Sequence, residues 1–119
     1  MRTASVPIAP DDINWHDGIL VDVRLAGFAE LEQELTLVLD LYATGGANSQ
    51  RRRYCCVGTK LSRFLLNGDV ARLLENRSAG NIDLMRLHMT ADAEVLVVCL
   101  FGGMIEAEAA SFQLTESPA

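Results

Sequence analysis

His16 and Asp17 are the side chains whose types and spacing come nearest to acid–base chemistry. An imidazole beside a carboxylate can titrate close to neutral pH and pass a proton. Neighbours in sequence rarely face each other, so a catalytic pair would need groups brought in from elsewhere. The simpler reading of Trp15-His16-Asp17-Gly18 is a turn that leads into the first strand. Asp22 and Asp40 fall on outward faces of two strands expected to pair. Two carboxylates so placed could flank a sugar bond, although exposed acids on strands ordinarily serve solubility. Trp15, His16, Asp17, Asp22 and Asp40 make up the candidate functional cluster. His88 alternates with Arg86 on a polar strand face and reads first as an exposed residue.

The remaining motifs exclude more than they suggest. Cys55, Cys56 and Cys99 form no C-x-x-C, and neither histidine sits at ligand spacing from a cysteine, so no metal site is expected. The three thiols read as small apolar core residues, and a reducing cytoplasm is their natural compartment. Gly102-Gly103 is no phosphate loop, because it lacks the following Lys-Ser/Thr and the helix that would supply aligned N–H groups. No G-x-S-x-G is present. No cofactor is expected.

Charge argues in the same direction. Ten bases against 16 acids give a net charge of −6 over 119 residues. Neutralising phosphates needs a basic face, so nucleic acid is not the expected partner. The Arg51-Arg52-Arg53 run is better read as an edge strand kept charged against aggregation. Residues 51–63 hold five bases and no acid, whereas residues 91–119 hold five acids and no base. A basic strand between acidic ones can form cross-strand ion pairs, or it can dock a partner. Arg51, Arg53, Glu106 and Glu108 are therefore the candidate interaction surface. The longest nearly apolar run, residues 95–105, has 11 residues with two glycines, where a spanning helix needs about 18 or more. No membrane contact and no signal peptide are expected.

The elements that must position these residues follow from periodicity. Ile19, Val21, Val23 and Leu25 alternate with Leu20, Asp22 and Arg24, as in a half-buried strand. Leu35, Leu37, Leu39 and Leu41 alternate with Glu34, Thr36, Val38 and Asp40. A helix there would spread its leucines round the circumference, so alternation decides for a strand. Residues 51–57 read as a strand that could run on to 66, where Gly58 could mark a bulge, but Leu61, Phe64 and Leu65 also fit helical spacing, which leaves 61–66 open between strand and helix. Asn67 or Asp69 can cap a short helix carrying Val70, Leu73 and Leu74 on one stripe. Residues 82–85 alternate again. Residues 95–101 are apolar on both faces and read as a central strand. Gly102-Gly103 is expected to be a two-residue hairpin turn, with Ile105, Ala107 and Ala109 on the return strand and a bulge near Ala109-Ala110.

At Trp15-His16-Asp17-Gly18, Gly80-Asn81-Ile82 and Leu100-Phe101-Gly102-Gly103-Met104-Ile105-Glu106, the chain resembles small β-rich bacterial proteins of unknown function, some associated with immunity proteins of polymorphic toxin systems. The resemblance spans most of residues 15–114. It implies antiparallel strands with one helix and a role as a binding partner, and it carries over no catalytic residue.

The expected protein is α+β and mainly antiparallel β. About six strands form a curved sheet, barrel or sandwich with one short helix. An extended arm occupies residues 1–14, one domain residues 15–115, and a tail residues 116–119. The expected function is that of a non-catalytic binding protein, of immunity type against a basic toxin. The alternatives are a small enzyme using His16 with nearby carboxylates and a structural homodimer. Such a homodimer would associate through a sheet face or edge, because one two-turn helix cannot cover a whole sheet.

Overall fold

The computed structural model describes residues 5–7, 13–27, 32–43, 50–75 and 80–117. They form nine strands and one helix: β1 (Ser5–Pro7), β2 (Ile13–Ala26), β3 (Glu34–Ala43), β4 (Arg51–Thr59), β5 (Arg63–Gly68), α1 (Val70–Glu75), β6 (Ile82–Met89), β7 (Glu94–Leu100), β8 (Gly103–Ala109) and β9 (Ser111–Glu116). One sheet has the order β1-β9-β4-β3-β2 and the other β5-β8-β7-β6, with every pairing antiparallel. Apart from the three-residue β1, eight strands make two sheets of four, and neither closes into a barrel. The extended arm thus contributes β1, which pairs with β9, and the first residues of β2.

The expected six strands become eight because two of them bend from one sheet into the other at the same corner. The β4–β9 ladder ends at the pair Thr59 and Ser111, and the β5–β8 ladder begins at Arg63 and Glu108. Lys60 takes φ 53° at the bend. Ser62 N–H donates to the Glu108 carbonyl at 2.8 Å, and Ala110 N–H donates to that of Thr59 at 2.9 Å. The backbone therefore stays paired through the corner. The expected bulge near Ala109-Ala110 is this corner.

The core lies between the sheets. Leu35, Leu37, Leu39 and Leu41 of β3 are fully buried, each stabilising by about 1.5–3 kcal/mol relative to exposure. Opposite them lie Leu96 and Val98 of β7 and Ile105 and Ala107 of β8. Strand β7 sits between β6 and β8, as its apolar character implied. Strand β2 departs from simple alternation: its register against β3 shifts between Leu20 and Asp22, so Leu20, Val23 and Leu25 all pack on the core while Val21 is exposed. A single extra residue moves every following side chain to the other face.

Two glycine expectations are corrected. Gly58 is no bulge, since it pairs regularly with Leu35 and Phe112. Its missing side chain leaves room for the Phe112 ring, whose nearest carbon would lie 2.5 Å from a Cβ there. The hairpin turn is Phe101-Gly102, because Leu100 pairs with Gly103. Gly102 has φ 110°, while Gly103 is in β8 with Asn67 of β5 pressed against it.

The helix starts where its cap was expected. The Asp69 carboxylate accepts from Ala71 N–H at 3.0 Å and from Arg72 N–H at 3.4 Å. Leu73 packs on the core, whereas Val70 is exposed. The cysteine expectation holds for Cys56 alone, which is buried and whose thiol burial pushes far up. Cys55 and Cys99 are half-buried because they point outward from β4 and β7.

Candidate functional site at the junction of the two sheets

The segment expected to be a turn is an excursion within β2. Asn14 pairs with Tyr42, and the next pair is Ile19 with Asp40. Five steps along β2 therefore match two along β3, and the surplus residues loop out. Asp17 takes φ 64°, a conformation Asp tolerates better than most residues. Trp15 turns into the core, while His16 and Asp17 turn toward β6.

His16 is held by groups from the other sheet. Its Nδ1 lies 2.7 Å from the Asp83 carbonyl oxygen. A carbonyl only accepts, so Nδ1 carries the hydrogen. Nε2 lies 3.6 Å from the Asp17 carboxylate, and the Asp83 carboxylate is 3.8 Å from Nδ1. The Asp83 carbonyl, followed by the Asp17 charge, raises the His16 pKa above 6.5. In the neutral ring Nε2 would face a carboxylate with a lone pair, whereas protonation turns that contact into an ion pair. Both side chains are more than half exposed, 55% and 54%, so water screens the pair strongly. The geometry makes His16 a clamp between β2 and β6 that tightens on protonation.

This clamp has a testable pH dependence. A raised folded-state pKa adds stability that is fully present below about pH 6.5, the unfolded value, and is lost as pH rises through the folded value. NMR titration is expected to place the His16 midpoint above 6.5. Asp17→Asn should lower that midpoint without restoring the free value, because the Asp83 carbonyl remains. Urea unfolding of His16→Gln should lack the decline seen in the native chain across this range. A native His16 midpoint at or below 6.5 would contradict the geometry.

Asn81 completes the junction, and its only mark among the residues is a Gly-Asn pair. It is the buried polar side chain among the described residues. Its N–H donates to the Gly18 carbonyl at 3.0 Å, and its carbonyl accepts from Phe101 N–H at 2.8 Å. Its Oδ1 accepts from Leu20 N–H at 2.8 Å. The edges of the two sheets are thus joined through the Asn81 side chain as well as through His16. Gly80 precedes it at φ 120°, so close to Asp17 that a Cβ would lie 2.5 Å from that carbonyl oxygen.

The other members of the expected cluster are engaged elsewhere. Asp22 accepts from Arg24 Nε at 2.9 Å on β2, and this contact lowers its pKa. Asp40 lies opposite Arg53 and receives two guanidinium hydrogen bonds, at 2.9 and 3.1 Å. The four residues of the expected interaction surface are divided between the sheets. Arg51 and Arg53 are on β4, Glu106 and Glu108 on β8. Arg51 donates to the Asp17 carbonyl at 3.2 Å and lies over the Tyr42 ring. Glu106 pairs with Arg63 at 3.0 Å, and Glu108 accepts from Ser62 Oγ. Arg52 adds a pair to Glu116 at 3.8 Å. The charge pattern is largely spent on cross-strand pairs. His88 and Arg86 are exposed on β6. No cluster of metal-ligating side chains occurs among the described residues, and no helix among them is long and apolar enough to cross a membrane.

A second surface lies at the opposite edge of the smaller sheet. Among the described residues β5 pairs with β8 and with no other strand. Leu65 and Leu66 point to opposite faces of β5 and are 43% and 49% exposed. Val70 of α1 and Phe101 of the hairpin are exposed too, and that hairpin packs on α1, with the Gly102 backbone against Arg72. Of the six exposed large apolar side chains among the described residues, four thus belong to β5, α1 and the hairpin beside it. Their signal in the sequence was a strand-to-helix ambiguity at 61–66 rather than a motif.

These features define an antiparallel two-sheet β fold with its core between the sheets, joined at the β2 and β6 edges; among the described residues the β5 edge pairs with β8 alone. No protein-family model, curated protein or solved structure matches the chain.

Proposed function

We propose that this protein is a non-catalytic interaction module that binds a protein partner along the open β5 edge. One observation carries the reading: β5 is an edge strand with exposed leucines on both faces. An uncovered edge presents unpaired N–H and C=O groups, and proteins ordinarily blunt such edges with charge, proline or a cover. Here the middle of the strand is Phe64-Leu65-Leu66. Strand addition to a sheet edge is a general mode of recognition, with backbone hydrogen bonds supplying affinity and side-chain contacts specificity. Four acids that a basic partner could meet, Asp22, Asp40, Glu106 and Glu116, are in contact with arginines of this chain. That supports an edge rather than a charged face as the contact.

The test is site-specific photo-crosslinking in living cells. A photoreactive residue at position 65 is expected to trap a protein adduct, whereas one at Val57, on the outer face of the larger sheet, is not. An adduct with a basic protein would fit this chain to the immunity-type role, with that protein as the toxin it neutralises. Absence of any adduct at 65 in cells that make the protein would overturn the proposal.

A further inference from the structure

We infer that the occupant of the β5 edge is β5 of a second copy of this chain, paired antiparallel about a two-fold axis through Leu65. This inference rests on the edge reading above and names its partner.

The side chains of β5 are compatible with themselves in one register. Arg63, Leu65 and Asn67 share the outward face, because they pair with Glu108, Glu106 and Met104 of β8. Phe64 and Leu66 share the inward face, opposite Ala107 and Ile105. A two-fold axis perpendicular to the sheet sets outward residues against outward residues. Centred on Leu65, it places Leu65 against Leu65 of the second copy. Phe64 then meets Leu66 of the second copy, and Arg63 meets its Asn67. Every apolar residue meets an apolar one, and no two charges of the same sign are opposed. Centring on Leu66 instead would set apolar Phe64 against Gly68 and Leu65 against Asn67.

Charge allows the approach despite the net −6 of the chain. Arg63, the strand's one charged residue, is already neutralised by Glu106 at 3.0 Å. Asn67, which it would meet, is uncharged. The two smaller sheets would become one continuous sheet of eight strands, and the exposed leucines of both copies would be covered together. An isologous contact of this kind uses the same surface on both copies and closes after two. It leaves the His16 and Asn81 junction untouched, since that lies at β6, the other edge of the same sheet.

Sedimentation velocity of the purified full chain at micromolar concentration tests the inference. The expected species is a dimer of twice 13.0 kDa. Leu65→Lys sets like charges opposite one another and is expected to weaken association by at least about tenfold. The register is read by mild oxidation of cysteine variants, with the native chain as control for Cys55 and Cys99. Leu65→Cys should form a disulfide-linked dimer. Arg63→Cys and Asn67→Cys should each form little alone but cross-link when mixed. A purified chain that stays monomeric while position 65 traps another protein in cells would overturn this inference and leave the proposed function standing. A dimer in which Leu65→Cys fails to cross-link, or in which Leu65→Lys does not weaken association, would also overturn it.

Discussion

Replacing Asn81 with alanine is expected to lower the stability of this protein by about 2–3 kcal/mol, because it strands the Leu20 N–H where the two sheet edges meet through the one buried polar side chain among the described residues. The Asn81 Oδ1 accepts from Leu20 N–H at 2.8 Å, and the residue is 5% exposed. Alanine keeps the two backbone bonds to Gly18 and Phe101 but offers Leu20 nothing. Urea unfolding measures the global loss. Hydrogen exchange locates it, with the Leu20 amide accelerating relative to the amide of Cys56, whose strand lies inside the larger sheet with β3 between it and β2. A loss within about 0.5 kcal/mol, the ordinary range for a surface substitution, would show that the sheets are not joined in this way.

The second large effect is expected at the β7–β8 hairpin, where Gly102→Val and Gly103→Val should each cost about 3 kcal/mol, for different reasons. Gly102 has φ 110°, which a β-branched residue resists, and a Cβ there would lie 2.8 Å from Cβ of Arg72. Gly103 is in the strand, and its constraint is space: a Cβ would lie 2.5 Å from the Asn67 carbonyl oxygen and 2.9 Å from Cα of Gly68. The first substitution strains the turn and pushes on α1. The second forces β5 away from β8. Circular dichroism through a denaturant series reads both losses. Exchange at β5 amides separates them, since Gly103→Val should open the β5–β8 ladder while Gly102→Val leaves it closed. Two stable variants would remove the basis for both the turn and the close approach of β5.

Much of this fold is legible in the residues alone. The four leucines of β3 alternate with polar or smaller neighbours, and a strand with one buried face is the simplest way to use that period. The apolar run of β7 requires cover on both faces and neighbours on both sides, and it receives them. Asp69 is a helix cap because its short carboxylate reaches the N–H groups of a first turn, a purely local event. Cross-strand pairing of the arginines of β4 with acids was implied by the segregation of charge, and Arg53 with Asp40 realises it.

The candidate site was half legible. His16 and Asp17 stand out by type, and they are indeed near each other. Their decisive partner, Asp83, lies 67 residues away and contributes a backbone carbonyl, which every residue has and no sequence can flag. Asn81 is invisible for a related reason: its acceptor role exists only because Leu20, 61 residues away, comes to it. Asp22 and Asp40 were grouped with His16 by sign and exposure, but nearby arginines claim them first.

The sequence by itself determined where the chain is extended, where it is helical, and which face of most strands is buried, because these follow from contacts between residues a few positions apart. Only the tertiary structure decided that the β4–β9 ribbon bends at Lys60 and Ala110 into a second sheet, that Asn81 joins one pair of edges, and that β5 has β8 as its one strand partner among the described residues. Each of those outcomes depends on which distant strand is available to pair. An alternating pattern states that a strand has an inside and an outside, but not what lies across from either edge.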